Sequence, residues 1–331
     1  MIKFILYILL LSFSFSQTKV GTSAVSFLGI GMGAKSIGMG GAYTTVVGSS
    51  ESIYWNPANI ARIEDTIYQL QSANWLVDSK LSTFSIAMPM FRNASIGIYM
   101  NHLNYGEEIV TTVDDEFGNG DLWNATDFVL GGGLSWKITD RFSLGSVLKF
   151  INSKIYNESA STLAGDIGVL YESSNKKIRF GSCISNLGPN MIMDGKDLFK
   201  KIDLDPENSG HNETILAKLK TDEWPLPIIF RIGLSGNIKL NSISDLLIST
   251  DAVLPSDDAE HLNIGTQFTL YDKIFLRAGL RNIGLEFSEE KYTFGIGSHL
   301  SIFGNLIEFN YAYQHFGIFG FVPHYEFLIY R

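Results

Sequence analysis

From Thr66 to Arg331 apolar and polar residues alternate with a period of two, in runs separated by turn-forming residues. That is the pattern of strands with two unlike faces. Leu262, Ile264, Phe268 and Leu270 share one face of such a run, and Asn263, Gly265, Gln267 and Thr269 the other. Phe142, Leu144, Leu148 and Phe150 oppose Ser143, Gly145 and Lys149, while Ile307, Phe309, Tyr311 and Tyr313 oppose Glu308, Asn310 and Gln314. The pattern predicts about fourteen strands, roughly 66–73, 81–89, 93–103, 126–138, 141–153, 162–172, 177–186, 226–236, 244–254, 260–270, 274–281, 291–302, 306–316 and 322–331. Many are long enough to cross a bilayer at a tilt, and an even count suits a closed single-chain barrel.

The predicted connections are of two kinds. Longer polar loops at 74–80, 104–125, 154–161, 187–225, 255–259, 282–290 and 317–321 alternate with tight turns such as Thr139-Asp140, Ser173-Ser174-Asn175-Lys176, Tyr271-Asp272-Lys273 and Phe303-Gly304-Asn305. Short turns at one end and long loops at the other mark an outer-membrane barrel. A secreted soluble sandwich would have shorter strands and no such asymmetry. Within 187–225, residues 195–202 and 213–220 carry short helical patterns.

Composition narrows the picture. The chain has 34 acidic and 25 basic residues, a net charge of −9 and no basic block, which argues against nucleic acid. Residues 1–16, MIKFILYILLLSFSFS, read as a cleaved signal peptide with a mature chain from about Gln17. Cys183 is the one cysteine, so no intramolecular disulfide is available. Its expected place is a packed position on an inward face.

Before the first strand lies GIGMGAKSIGMGGAYTTVVGSSESIYWNPANIAR, Gly29 to Arg62. So many glycines carry an entropic cost that an enclosing structure must offset. Gly33-Ala34-Lys35-Ser36 departs from a Walker loop, and no strand precedes Gly31-Met32-Gly33, so nucleotide binding is not indicated. The expectation is a glycine-rich plug over 17–65 inside a barrel over 66–331. The fold class is therefore all-β, a transmembrane antiparallel β-barrel with an N-terminal plug.

Gly38-Met39-Gly40-Gly41-Ala42-Tyr43 followed by Tyr54-Trp55-Asn56-Pro57-Ala58 resembles the N-terminal hallmark of the PorV/PorQ family, related in fold to the FadL long-chain fatty acid transporters. Lys35 and Asn59 depart from the usual Arg and Gly. The resemblance implies an outer-membrane protein whose N-terminal segment folds inward. It also implies a component of type IX secretion that binds and shuttles cargo bearing C-terminal signal domains towards a surface attachment machinery. The alternative is a FadL-like channel for hydrophobic small molecules, to which Met191, Ile192, Met193, Leu198 and Phe199 of the long loop would contribute.

The inward faces place Arg179, Arg231, Arg277, Arg281 and Lys149 in the lumen with Asp127, Asp166, Asp251 and Glu308, where pairing with one another and with plug backbone is expected. No catalytic constellation, metal-ligand spacing or cofactor motif is present: the six histidines are scattered and no serine sits in a nucleophile elbow. The acidic loop 104–125 fits no EF-hand spacing and reads as a solvated loop. Outer-membrane lipid, and either secreted cargo or a hydrophobic ligand, are the partners expected.

Overall fold

The computed structural model describes residues 21–331 apart from 119, 204–214, 287 and 303. The predicted signal peptide and the tip of the long loop lie outside the described residues. Seven strands come first: β1 (Ile67–Asn74), β2 (Lys80–Phe91), β3 (Ala94–Ile109), β4 (Leu122–Lys137), β5 (Phe142–Ile155), β6 (Glu158–Glu172) and β7 (Ile178–Leu187). The long loop holds five short ones, β8 (Met191–Ile192), β9 (Asp194–Gly195), β10 (Phe199–Ile202), β11 (Ile215–Lys218) and β12 (Glu223–Trp224). Seven more follow: β13 (Ile229–Lys239), β14 (Ser244–Pro255), β15 (His261–Leu270), β16 (Ile274–Ile283), β17 (Tyr292–Ile302), β18 (Asn305–His315) and β19 (Phe321–Tyr330). Each long strand pairs antiparallel with the next, β7 passes to β13, and β1 pairs with β19 from Ile67↔Tyr330 to Ala73↔His324. The result is a closed fourteen-stranded barrel with β9 appended to β6.

Its faces are inverted relative to a soluble protein. Leu134, Leu148, Leu163, Phe294, Ile296 and Phe327 point outward and are exposed, while Gln69, Gln71, Asn101, Asn310 and Glu326 point inward and are buried. Lipid tolerates the first set, and the interior must hydrogen-bond the second.

Two expectations about connections are corrected. Residues 154–161 form no long loop: β5 and β6 stay paired to Ile155↔Glu158, and Tyr156-Asn157 alone turns the chain, with Tyr156 at φ 53°. The polar residues there belong to strands, with Ala160 and Thr162 buried between exposed Ser159 and Ser161. Nor do 195–202 and 215–220 form helices. One 3₁₀ turn, Lys196–Leu198, leads into a β10–β11 ribbon paired from Phe199↔Lys218 to Ile202↔Ile215. A helix of two turns is marginal without a surface to pack on, whereas two short apolar runs satisfy each other's backbone directly.

The wall is interrupted beneath the long loop. The β6–β7 ladder ends at Gly165↔Leu187, with a register shift beside it. Beyond that point the chain leaves the sheet through Gly188 and Pro189, and the Thr162 hydroxyl reaches the Pro189 carbonyl oxygen at 3.5 Å.

The N-terminal segment packs on the inward face of the barrel. It contains two short helices, Ala34–Gly38 and Ser52–Trp55, and 3₁₀ turns at Ser26–Gly29 and Pro57–Arg62. Wall glycines admit it. A Cβ on Gly145 of β5 would lie 2.4 Å from the Pro57 carbonyl carbon, and one on Gly279 of β16 would lie 2.2 Å from the Gly40 nitrogen. Gly97, Gly168, Gly181, Gly233, Gly265 and Gly295, on six further strands, likewise face the segment at 3.2 Å or less. The small residues on the polar faces of the strands are thus the seat for this segment.

Candidate functional site

The glycine motif is fixed by backbone geometry. Gly40 and Gly41 adopt φ of 66° and 74°, a region closed to most side chains. Between them and the wall, Gly40 N donates to Thr293 Oγ1 at 2.9 Å, and that hydroxyl donates to the Gly38 carbonyl oxygen at 3.2 Å. Met39 is fully buried. The next residues are held by Asp251, whose Oδ2 accepts from Tyr43 N, Thr44 N and Thr44 Oγ1 at 2.7–2.9 Å.

The second half of the motif crosses back. Trp55 Nε1 donates to the Met32 carbonyl oxygen at 2.9 Å, and the Tyr54 hydroxyl lies 2.8 Å from the Leu28 and Ile30 carbonyl oxygens. Asn56 caps the following turn by accepting from Ala58 N at 3.0 Å, with Pro57 at the first turn position. Its amide also donates to Thr44 O at 2.9 Å and to Val169 O of β6 at 3.0 Å. One side chain therefore joins both halves of the segment to the wall.

Towards the short-turn end lies a charge network. Glu308 receives Lys35 at 3.0 Å, Arg277 at 3.4 Å, His299 at 2.8 Å and the Tyr330 hydroxyl at 2.6 Å. Arg277 also donates to Gln267 and Asn310, both at 2.7 Å. Elsewhere Lys149 pairs with Asp166 at 2.7 Å, Arg179 and Arg62 share Glu172, and Arg281 meets Glu290 at 2.8 Å. Asp127 accepts from Tyr105. Cys183 is buried, its Sγ 3.4 Å from Ser185 Oγ.

Sequence reasoning missed Lys35, Glu51, Arg62, Glu172, Glu290 and Glu326. Three of these lie before the first strand, where no alternation shows which way a side chain points. Glu51 is the most unusual, being fully buried with no hydrogen-bond partner for either carboxyl oxygen among the described residues. Burial, and then the neighbouring Glu326, push its carboxyl well above the ordinary range.

Two cavities flank the start of the segment at the long-loop end. One of about 300 Å³ lies between the segment and strands β13–β16, lined by Trp55, Ile229, Arg231, Val253, Asn263 and Arg281 among others. The second, about 350 Å³, lies beneath the long loop and is lined by Ala24, Val25, Ala160, Met191, Met193 and Trp224. Gly21 borders both. Of the apolar loop residues expected to contribute to a ligand site, Met191 and Met193 line the second cavity, whereas Phe199 is exposed on the β10–β11 ribbon and none of Ile192, Leu198 and Phe199 borders either cavity. Among the described residues no cluster of side chains is arranged to hold a metal.

Comparison with known proteins gives the fold its relatives. No protein-family model and no curated protein matches the chain. Among solved structures it is similar to a Pseudomonas aeruginosa FadL homologue, with TM-score 0.52 and 12% identity over 90% of this chain and 97% of the other. It is similar also to the CymD monoaromatic hydrocarbon channel and to the P. putida toluene transporter TodX. Each has TM-score 0.54 and 12% identity over 91% of this chain and 96% of the other. At such identity the likeness is one of fold: a FadL-like barrel.

Proposed function

We propose that the chain is an outer-membrane channel for hydrophobic small molecules, with residues 21–65 acting as the plug of the barrel. Long loops would then face the outside and short turns the periplasm. The observation that carries the reading is the pair of cavities at the loop end, one apolar and outer, one deeper beside Trp55, separated by the first described residues. A molecule captured under Met191, Met193 and Trp224 has the inner cavity next to it. Below, the segment sits against glycines of eight strands, and as the plug it would fill a straight passage along the axis. That the fold's solved relatives include hydrocarbon channels supports this reading over a catalytic one.

The motif over Gly38–Pro57 supports a second reading, a binding and shuttle component of type IX secretion, for which the long loop would supply the cargo surface. Purification from the native envelope in mild detergent, followed by mass spectrometry of proteins and lipids, separates the two. Copurifying hydrophobic ligand, and uptake lost on deleting the gene, support the channel. Recovery of secreted proteins sharing a C-terminal domain, with no ligand, would replace it by the shuttle.

A further inference from the structure

We infer that the inner cavity is built for a small amphipathic monoanion, a carboxylate on an apolar body of about ten non-hydrogen atoms, with Arg231 as its charge partner. The inference rests on the channel reading and names its substrate class.

Arg231 is 4% exposed and lines the cavity. A guanidinium has five N–H donors, yet the hydrogen bond found here is a long one, 3.5 Å to Ser185 Oγ. Its planar group lies over the rings of Trp55 and Tyr54, 5.4 and 5.9 Å from their centroids. Among the described residues no carboxylate comes within 4 Å of it. The other buried cations facing the lumen are answered: Arg277 and Lys35 by Glu308, Lys149 by Asp166. Asp251, a buried carboxylate on β14, accepts from Tyr43 and Thr44 with one oxygen and leaves the other without a hydrogen bond, outside ion-pair distance of Arg231.

Leaving a buried charge without a counter-ion is expensive, and a bound anion would remove that cost. The cavity supplies the complement. Trp55, Ile229 and Val253 offer an apolar wall, and its 300 Å³ equals the share of about ten waters. Two of the carboxylates that line it are already engaged: Asp257 accepts from Ser23, and Glu290 pairs with Arg281 and accepts from Gln314. With the exposed Asp258, they disfavour a dianion. A neutral hydrocarbon would leave Arg231 as it is, without a counter-ion.

Isothermal titration calorimetry of the full-length protein in detergent, with benzoate, benzamide and toluene at neutral pH, tests this. Benzoate should bind at least tenfold more tightly than either neutral analogue, and Arg231→Met should weaken benzoate by about ten- to hundredfold while leaving toluene unchanged. Arg231→Lys should restore part of the loss. Toluene binding as tightly as benzoate, or benzoate binding that ignores Arg231→Met, would overturn the anion assignment and leave the channel intact. If no ligand of the three binds, and cells show no uptake, the channel reading itself falls. The three wild-type titrations stand without any variant, should Arg231→Met fail to show the heat-modifiable mobility of a folded barrel.

Discussion

Adding one methyl group at a glycine of the wall should displace the N-terminal segment without opening the barrel. At Gly145 the new Cβ would meet the Pro57 carbonyl carbon at 2.4 Å and Ala58 N at 2.5 Å; at Gly279 it would meet Gly40 N at 2.2 Å and the Met39 carbonyl carbon at 2.4 Å. Carbon contacts are comfortable at roughly 3.5–4.0 Å, so each site is short by about 1 Å or more. The atoms struck are backbone, which no rotamer change can move aside. Overpacking of this kind costs about 1–3 kcal/mol per site. Strands β5 and β16 lie on nearly opposite sides of the barrel, so the costs should add to about 2–6 kcal/mol for the pair.

Both strands keep their ladder bonds, so the energy falls on docking. A loss of about 2 kcal/mol raises the undocked population roughly thirtyfold. Limited proteolysis within residues 21–65 reads that population, provided that opening is fast relative to cleavage. Gly132→Ala is the control, since nothing lies within 4 Å of a Cβ there. Gly145→Ala/Gly279→Ala should be cleaved at least tenfold faster than Gly132→Ala, with the heat-modifiable mobility of the barrel unchanged. Equal cleavage of the two would refute the idea that the segment is wedged by backbone contact.

Other outcomes stem from the same geometry. Asn56→Ala removes the cap and both ties to Thr44 and Val169, and should cost about 1–3 kcal/mol of segment docking in the same protease assay. Glu308→Gln strips the counter-charge from Lys35 and Arg277 and should destabilise the protein by about 3–5 kcal/mol in detergent denaturation, while Glu290→Gln at the rim should cost far less. The raised pKa of Glu51 means that ionisation opposes docking. Resistance to protease should therefore be greatest near the ordinary carboxylate pKa and fall as pH rises towards the raised value; Glu51→Gln should abolish that dependence and protect the segment at neutral pH. A wild-type protein whose resistance grows with pH would count against it.

The barrel was legible because a lipid-facing sheet imposes a strict period of two, and nearly every long strand from β1 to β19 displays it. Turns were legible where Gly, Asn or Asp marks them. The turn at Tyr156-Asn157 is hidden because Asn152, Lys154, Glu158, Ser159 and Ser161 around it read as a polar loop, although all of them lie on paired strands. The long loop misled in another way, since Phe199–Ile202 and Ile215–Lys218 are too short for their spacing to decide between helix and strand, and only their mutual pairing does so. Which charges face the lumen could be read from alternation for Arg231, Arg277 and Glu308. Which of them lack a partner could not, for Arg277 finds its glutamate on a strand two removed in the barrel, and Lys35 reaches the same carboxylate from before the first strand. Pairing across a closed sheet depends on stagger, which no local pattern encodes.

The seam between β1 and β19, where Thr66 and Arg331 exchange backbone hydrogen bonds at 2.9 Å, joins the beginning of the wall to its end. Gly38 meets Gly295 and Gly40 meets Gly279 more than two hundred positions away, and the contacts lie inside the ring that the seam completes. The segment's seat, made by glycines from both halves of the chain, is complete only while β1 and β19 are paired. Parting that seam would unmake the seat together with the wall, whereas undocking the segment leaves the seam as it is.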